Sequence, residues 1–394
     1  MRIIDLGQGP RVGYATRVLA GYGADVIKIE PLHTGDNLRA HGPFPDDRPD
    51  PDMSGIALYL DAGKRSVCID LQRMEGRQIL HRLLLGADAV IDEIESDLAD
   101  TLNLDEVTLD HCYPQLVRVA ISPFGVEAAA ESDDSSTPTL ILEALCGWLW
   151  LSGEPGRPPA RIRGEVASAL APGLYAAIGA LSALEWRRAH GAGQLVEVSA
   201  QEAMLAASRF YETTYAQRSI EIGRLGPNLY PTYGYIPAAN GWLALCAATA
   251  EQREMIAIMT EMAEYIDDPL FQATDESAAS SAQLAQMRAW IAAREHQETF
   301  ELAQQLRIPS GYVSTAEDVL QLPQILARGA LQRQSTPAMV DDLVFPGAPF
   351  KMDNTPFESR AAPKLGEHTD EVLVTELNIG IEQLNAWRSQ GIVA

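Results

Sequence analysis

The first thirty residues place a strand, a helix and a second strand in succession, and no other stretch narrows the fold as far. Arg2–Leu6 has a short strand pattern, and Val12–Gly21 spaces its apolar residues at helical intervals. Ala24-Asp25-Val26-Ile27-Lys28-Ile29 is a β-branched run. A β-α-β unit of this length joins two parallel neighbours through a crossover helix, so a parallel, Rossmann-like α/β sheet is expected. The pattern continues with a helix over Gln72–Leu85, strands at Asp88–Ile91 and Leu116–Ser122, and a long apolar helix over Pro172–His190. Arg187 and Arg188 suit the C-terminal dipole of that helix. Gly191 and Gly193 break it before a strand at Gln194–Ser199. Asn228–Ala247 reads as two strands around an Asn240-Gly241 turn, with helical segments following to Leu306.

A chain of 394 residues is too long for one simple core. The change of character after Arg224 sets a large Rossmann-like domain at 1–216 with 340–394, and a smaller α+β domain at 217–339. The formal net charge of −24 argues against nucleic acid or an anionic membrane as partner. It also requires that basic groups be concentrated wherever a polyanion binds. The start Met1–Asp5 enters a strand at once, with no basic leader, and the apolar stretch Gly173–Trp186 reads as too short and interrupted to span a bilayer. A cytoplasmic protein is expected. Cys68, Cys112, Cys146 and Cys246 lack metal-type spacing and read as buried free thiols. The seven histidines show no paired spacing, so no metal site is inferred.

Two loops, Pro43–Pro51 and Glu127–Thr137, read as exposed. The run Asp92–Asp110 holds eight acids and no Lys or Arg, and a solvated helix face is the plainest account of it. Trp148-Leu149-Trp150-Leu151 reads as core packing beside a helix, with a pocket for a ligand as the alternative.

Several segments, in order and at matching spacing over most of the chain, carry a resemblance. They are Gly23-Ala24-Asp25-Val26-Ile27-Lys28-Ile29-Glu30, Gly35-Asp36-Asn37-Leu38-Arg39, and Lys64-Arg65-Ser66-Val67 with Asp70-Leu71. Ser152-Gly153-Glu154-Pro155, Gly173-Leu174-Tyr175-Ala176-Ala177-Ile178-Gly179, Gly193-Gln194 with Val198-Ser199, and Ile308-Pro309-Ser310-Gly311 follow. Leu365-Gly366-Glu367-His368-Thr369-Asp370-Glu371-Val372-Leu373 is the strongest. Together they resemble the family III CoA-transferases, the group of formyl-CoA transferase and carnitine CoA-transferase. The resemblance implies a Rossmann-like large domain built from both chain ends, a small domain, and two subunits interlocked like links of a chain. It also implies CoA or acyl-CoA as substrate. An aspartate attacks the thioester to give a mixed anhydride, and CoA thiolate returns to give an aspartyl-CoA thioester that the acceptor acid resolves. Amides of a glycine loop in the small domain help to stabilise the oxyanions.

The resemblance also locates the departures. The family's aspartate stands four residues before the helix-opening glycine, where this chain has Ala169. The first βα loop, Gly7-Gln8-Gly9-Pro10-Arg11-Val12-Gly13, is still glycine-rich and precedes a helix, so Gln8 and Arg11 are candidate contacts for CoA. The positions that hold the adenosine phosphate end read Glu93-Ile94 and Ser96-Asp97, with Thr101 in place of an arginine. Arg39, Lys64 and Arg65 remain, either as phosphate contacts or as partners of buried carboxylates. The proton-transfer pair of the related α-methylacyl-CoA racemases falls on Pro138 and Ala169, which excludes that activity.

Three functions follow. The first is a non-catalytic subunit paired with a homologous aspartate-bearing subunit, as in the benzylsuccinate CoA-transferases, with CoA held mainly by the partner. The second is an active interlocked homodimer with a displaced nucleophile, Glu165; Ser168 without a base is weak. The third is a non-enzymatic ligand-binding protein on the same fold. Glu143, on an apolar helix pattern, reads as a buried glutamate paired with an arginine.

Overall fold

The computed structural model describes residues 1–94, 96–126, 138–161, 165–207, 211–224, 228–230, 232–268, 282–334, 343–358 and 360–394. The side chains of Ser96, Asp97, Glu106, Glu165, Val166, Ala167, Asn228, Leu229 and Tyr230 are outside that description. The expected loop Glu127–Thr137 and residue Ile162 also lie outside the described residues. Two compact units emerge, one of Met1–Trp148, Ile162–Tyr211 and Ala327–Ala394, the other of Leu149–Arg161 and Glu212–Leu326.

The first unit is a mixed α/β layer structure. Strands β1 (Arg2–Asp5), β2 (Asp25–Glu30), β3 (Arg65–Cys68), β4 (Ala89–Asp92), β5 (Val117–Ser122) and β6 (Leu195–Ser199) pair in parallel in the order β3-β2-β1-β4-β5-β6. Successive side chains point to opposite faces, so Ile3, Val26 and Ile91 enter one core while Ile4, Ile27 and Val90 enter the other. Both faces are buried along β1 to β5, which is why those strands read as apolar runs, whereas the edge strand β6 exposes Leu195 and Glu197. The helix Met74–Leu84 covers one face with Ile79, Leu80, Leu83 and Leu84, joined there by Val372, Leu373 and Leu384 from the C-terminal end. The first helix, Pro10–Gly21, covers the other with Val12, Ala15 and Leu19.

The long helix runs Glu165–His190, two turns earlier than the expected start near Pro172. Pro172 has no N–H to return to residue 168, which is why the sequence pattern opens there. In the folded chain Pro172 sits inside the helix. Ser168 and Ala169, each 1% exposed, extend it. By length and composition its Ser168–His190 part is apolar enough to cross a membrane, contrary to the reading of Gly173–Trp186 as too short. Its Ala176, Ala177, Ala180 and Ala183 pack into the sheet core, which makes it the crossover between β5 and β6. Gly173 permits that packing: a Cβ there would stand 2.4 Å from the Arg11 carbonyl oxygen.

The C-terminal motif docks on β3. Gly366 N donates to Ser66 Oγ at 2.8 Å and His368 N to the Ser66 carbonyl at 2.9 Å, while Cys68 N donates to Thr369 Oγ1 at 3.2 Å. Strands β11 (Leu331–Gln334) and β12 (Leu343–Pro346) form an antiparallel pair in the same unit.

The second unit is built on an antiparallel sheet, β10-β9-β8-β7, from β7 (Asn228–Tyr230), β8 (Tyr233–Ala238), β9 (Gly241–Cys246) and β10 (Ser310–Tyr312). Asn228–Ala247 thus carries three strands rather than two. The helix Ala250–Met259 opens with a reciprocal cap between Thr249 and Gln252 and buries Ile256 and Met259. Leu284, Met287 and Ile291 of the helix Ala282–Ala292 join the same core.

Three further expectations change. Trp148 is half-buried, packs against the cluster of Leu142, Cys146, Ala200 and Met204 and donates to the Met204 carbonyl at 3.0 Å, whereas Trp150 is exposed and donates to the Ile222 carbonyl at 2.9 Å, so core packing holds for Trp148 and not for Trp150. Cys68 and Cys146 are buried, but Cys112 is exposed and Cys246 half-buried. The acidic run is not wholly a solvated face. Asp100 and Asp110 are exposed, while Asp92 ends β4 fully buried against Arg118, with bonds of 2.9 and 3.0 Å.

Candidate functional site

In a sheet of this strand order, ligands bind outside the carboxyl ends of the strands, where neighbouring connections leave in opposite directions. Here that point lies between β1 and β4. A crevice of about 430 Å³ opens there, lined by Leu6, Gln8, Ile29, His33, Asp70 and Ile94 among others. Of the expected CoA contacts, Gln8 lines it. No lysine or arginine does so among the described residues.

The loop between β1 and the first helix is held from beneath by buried charges. Asp5 accepts from Gly7 N at 3.0 Å, from Thr16 Oγ1 at 2.7 Å and from Lys64 Nζ at 2.9 Å. Lys28 Nζ donates to the Gly7 carbonyl at 3.0 Å and lies 2.5 Å from Asp36, 3.6 Å from Asp5 and 3.8 Å from Asp61. Lys64 Nζ also reaches Asp61 at 2.9 Å and the Gly13 carbonyl at 3.3 Å. Burial alone would raise the Asp5 carboxyl, but Lys28, Lys64 and the Thr16 hydroxyl outweigh it and hold it at about 2. Burial opposes the Lys28 charge too, yet Asp36, Asp5 and Asp61 keep it well above the ordinary lysine value. Burial raises Asp36, with Lys28 opposing.

Other cations in the neighbourhood are likewise met by carboxylates. Arg39, 3% exposed, bonds Glu30 at 2.7 and 3.0 Å and Asp52 at 3.1 Å. Arg65 bonds Asp25 at 2.7 and 2.9 Å and also reaches Glu376. Arg11 pairs with Glu93, the residue that follows β4. Burial raises the Glu93 carboxyl, Arg11 opposes, and Asp36 and Asp92 add to the rise. Lys64 is thus committed beneath the loop, and Arg39, Arg65 and Arg11 each sit in an ion pair. The sequence marked Arg11 and Glu93 separately; their pairing comes from β1 and β4 being neighbours.

The position of the expected nucleophile lies elsewhere in this unit. Ala169 stands on the long helix, 1% exposed. Beside it the Ser168 hydroxyl donates to Glu143 Oε1, from the helix Thr139–Leu145. Glu143 is fully buried and its Oε2 has no hydrogen-bond partner among the described residues. The arginine expected for Glu143 is therefore replaced by a serine from the long helix. Glu165 is the first residue of the long helix, four before Ala169. Thr101, at the position where the family resemblance implies an arginine, is exposed.

Comparison with known proteins agrees with this architecture. The model of CoA-transferase family III matches residues 1–369. Among curated relatives, the succinyl-CoA:(R)-benzylsuccinate CoA-transferase subunit BbsE of Thauera aromatica is 30% identical over 391 residues, covering 95% of this chain and 92% of that protein. The succinate–glutarate CoA-transferase of Agrobacterium fabrum is 28% identical, covering 95% and 94%. Among solved structures, a CaiB/BaiF family protein from Brucella suis superposes with a TM-score of 0.82 at 23% identity, over 95% of this chain and 98% of that one, a likeness of fold. With a family match over nearly the whole length and the parallel sheet expected of it, this chain belongs to CoA-transferase family III.

Proposed function

We propose that the chain acts in CoA transfer between an acyl-CoA and a carboxylic acid as the non-catalytic subunit, paired in the cytoplasm with a homologous subunit that bears the nucleophilic aspartate. The observation that carries this reading is Ala169, a buried methyl where the family places the acyl-carrying carboxylate. A methyl group can neither attack a thioester nor carry an acyl group. The similarity to BbsE, a protein named as a subunit, supports it. In an interlocked pair each chain completes the fold of the other, so a copy without the nucleophile retains a structural role. The expected outcome is that the purified chain alone exchanges no CoA between acyl donors and free acids, and that co-expression with an aspartate-bearing homologue restores exchange. A lone chain that transfers CoA at rates ordinary for the family overturns the reading.

A second reading has one observation in its favour: the long helix starts early enough to include Glu165, a turn ahead of Ala169. In that case the chain is an active homodimer. Incubation with an acyl-CoA and hydroxylamine followed by mass spectrometry then shows Glu165 modified, and an unmodified Glu165 excludes it.

A further inference from the structure

The start of the first helix is where a parallel sheet of this order offers a phosphate site, because backbone N–H groups and the helix dipole favour an anion there. In this chain the helix Pro10–Gly21 begins with Gly9 as its cap residue, with no side-chain cap bond and no acid in its first turn. An acid comes instead from the neighbouring strand. Glu93 follows the last residue of β4, and its Oε2 would stand 3.7 Å from a Cβ placed on Gly9. Its other oxygen pairs with Arg11 in the first turn of the same helix. The pair is largely enclosed, with side chains 8% and 14% exposed. One carboxylate thus stands beside the helix start and ion-pairs with the arginine of its first turn. The adjoining crevice has no lysine or arginine in its lining among the described residues, and it includes Asp70 and His33.

We propose that Glu93 is a built-in anion that takes the phosphate position at the start of the first helix and so excludes nucleotide phosphates from this chain's own crevice. It is a specificity-determining residue. A polyphosphate approaching the helix start meets a carboxylate already bonded to Arg11, and loses both the charge-assisted bond and the favourable dipole. The apolar crevice then suits an uncharged ligand portion. The inference rests on the proposed function only in naming CoA as the polyphosphate excluded, and its test uses binding rather than turnover.

The test is calorimetric titration of the full chain with CoA, ADP and adenosine. In the unsubstituted protein affinity is expected to fall from adenosine to ADP to CoA; a reversed order overturns the proposal without any variant. Glu93→Gln removes the charge while keeping the shape, and is expected to bind CoA and ADP at least about tenfold more tightly than the unsubstituted chain. Adenosine affinity is expected to change little. Adding Arg11→Met to Glu93→Gln is expected to remove most of the gain. Glu93→Ala serves as a second uncharged variant, with circular dichroism confirming that each folds. Equal binding of CoA by the unsubstituted and Glu93→Gln chains, or binding by neither, overturns the proposal. Transfer activity of the lone chain would instead overturn the subunit reading, so the two failures are distinct.

Discussion

Replacing Lys28 by methionine tests whether the buried charge cluster holds the loop that starts the crevice. Lys28 is fully buried and faces three carboxylates, Asp36 at 2.5 Å, Asp5 at 3.6 Å and Asp61 at 3.8 Å, and it also donates to the Gly7 carbonyl. Charges 3.6 Å apart attract by about 4–5 kcal/mol at an effective dielectric near 20, a gross term that the desolvation of the lysine largely cancels. The net loss on removing one partner of a buried pair is about 3–5 kcal/mol, because the other charges stay buried and uncompensated. Here Lys64 would remain at ion-pair distance from Asp5 and Asp61, and Asp36 would lose the lysine 2.5 Å from it. The pH dependence distinguishes this cause from simple misfit. In the natural chain Asp5, held at about 2, contributes stability that is present above the ordinary carboxylate value and lost as pH falls toward 2. Without Lys28 the Asp5 and Asp36 carboxyls shift upward, so the deficit of the variant relative to the natural chain is largest at neutral pH and shrinks on acidification. Differential scanning calorimetry and urea unfolding at about pH 7 and about pH 5 read the difference. The double variant Lys28→Met/Asp36→Asn removes a charge of each sign and is expected to recover about 1–3 kcal/mol. A deficit below about 1 kcal/mol, or one that is equal at both pH values, refutes the reasoning.

Two further outcomes are expected. Gly173→Ala places a methyl 2.4 Å from the Arg11 carbonyl oxygen, so the long helix must move off the first helix; thermal denaturation is expected to show a loss of about 1–3 kcal/mol, and an unchanged melting temperature contradicts the contact. Maleimide labelling followed by mass spectrometry is expected to modify exposed Cys112 first, while Cys68, buried beside Glu30 with its thiol pushed up to about 12, stays unmodified until the chain unfolds.

The β-α-β unit at the start, the strands that follow it and the long apolar helix were legible because period and β-branching are local properties of the chain. So was Ala169, since an alanine where the family resemblance expects a carboxylate is visible in one residue once the flanking glycine motif is recognised. The start of the long helix was not legible, because Pro172 sends a local signal that the packing of Ser168 and Ala169 overrides. Nor was the partner of Glu143: an isolated acid on an apolar helix announces a need for a hydrogen bond, and the donor came from a neighbouring helix rather than from an arginine.

The same division holds at the crevice. The amino-acid sequence by itself determined the residue types available: a glycine-rich turn, Arg11, Arg39, Lys64, Arg65 and an acidic run with no cation in it. Only the tertiary structure decided their partners, because strand order sets which residues become neighbours and charges far apart in sequence neutralise one another only at ion-pair distance. The adjacency of β1 and β4 brings Glu93 to Arg11, and that of β1 and β2 brings Lys28 to Asp5. Basic residues that the chain presents singly thereby become, in the folded protein, pairs already formed.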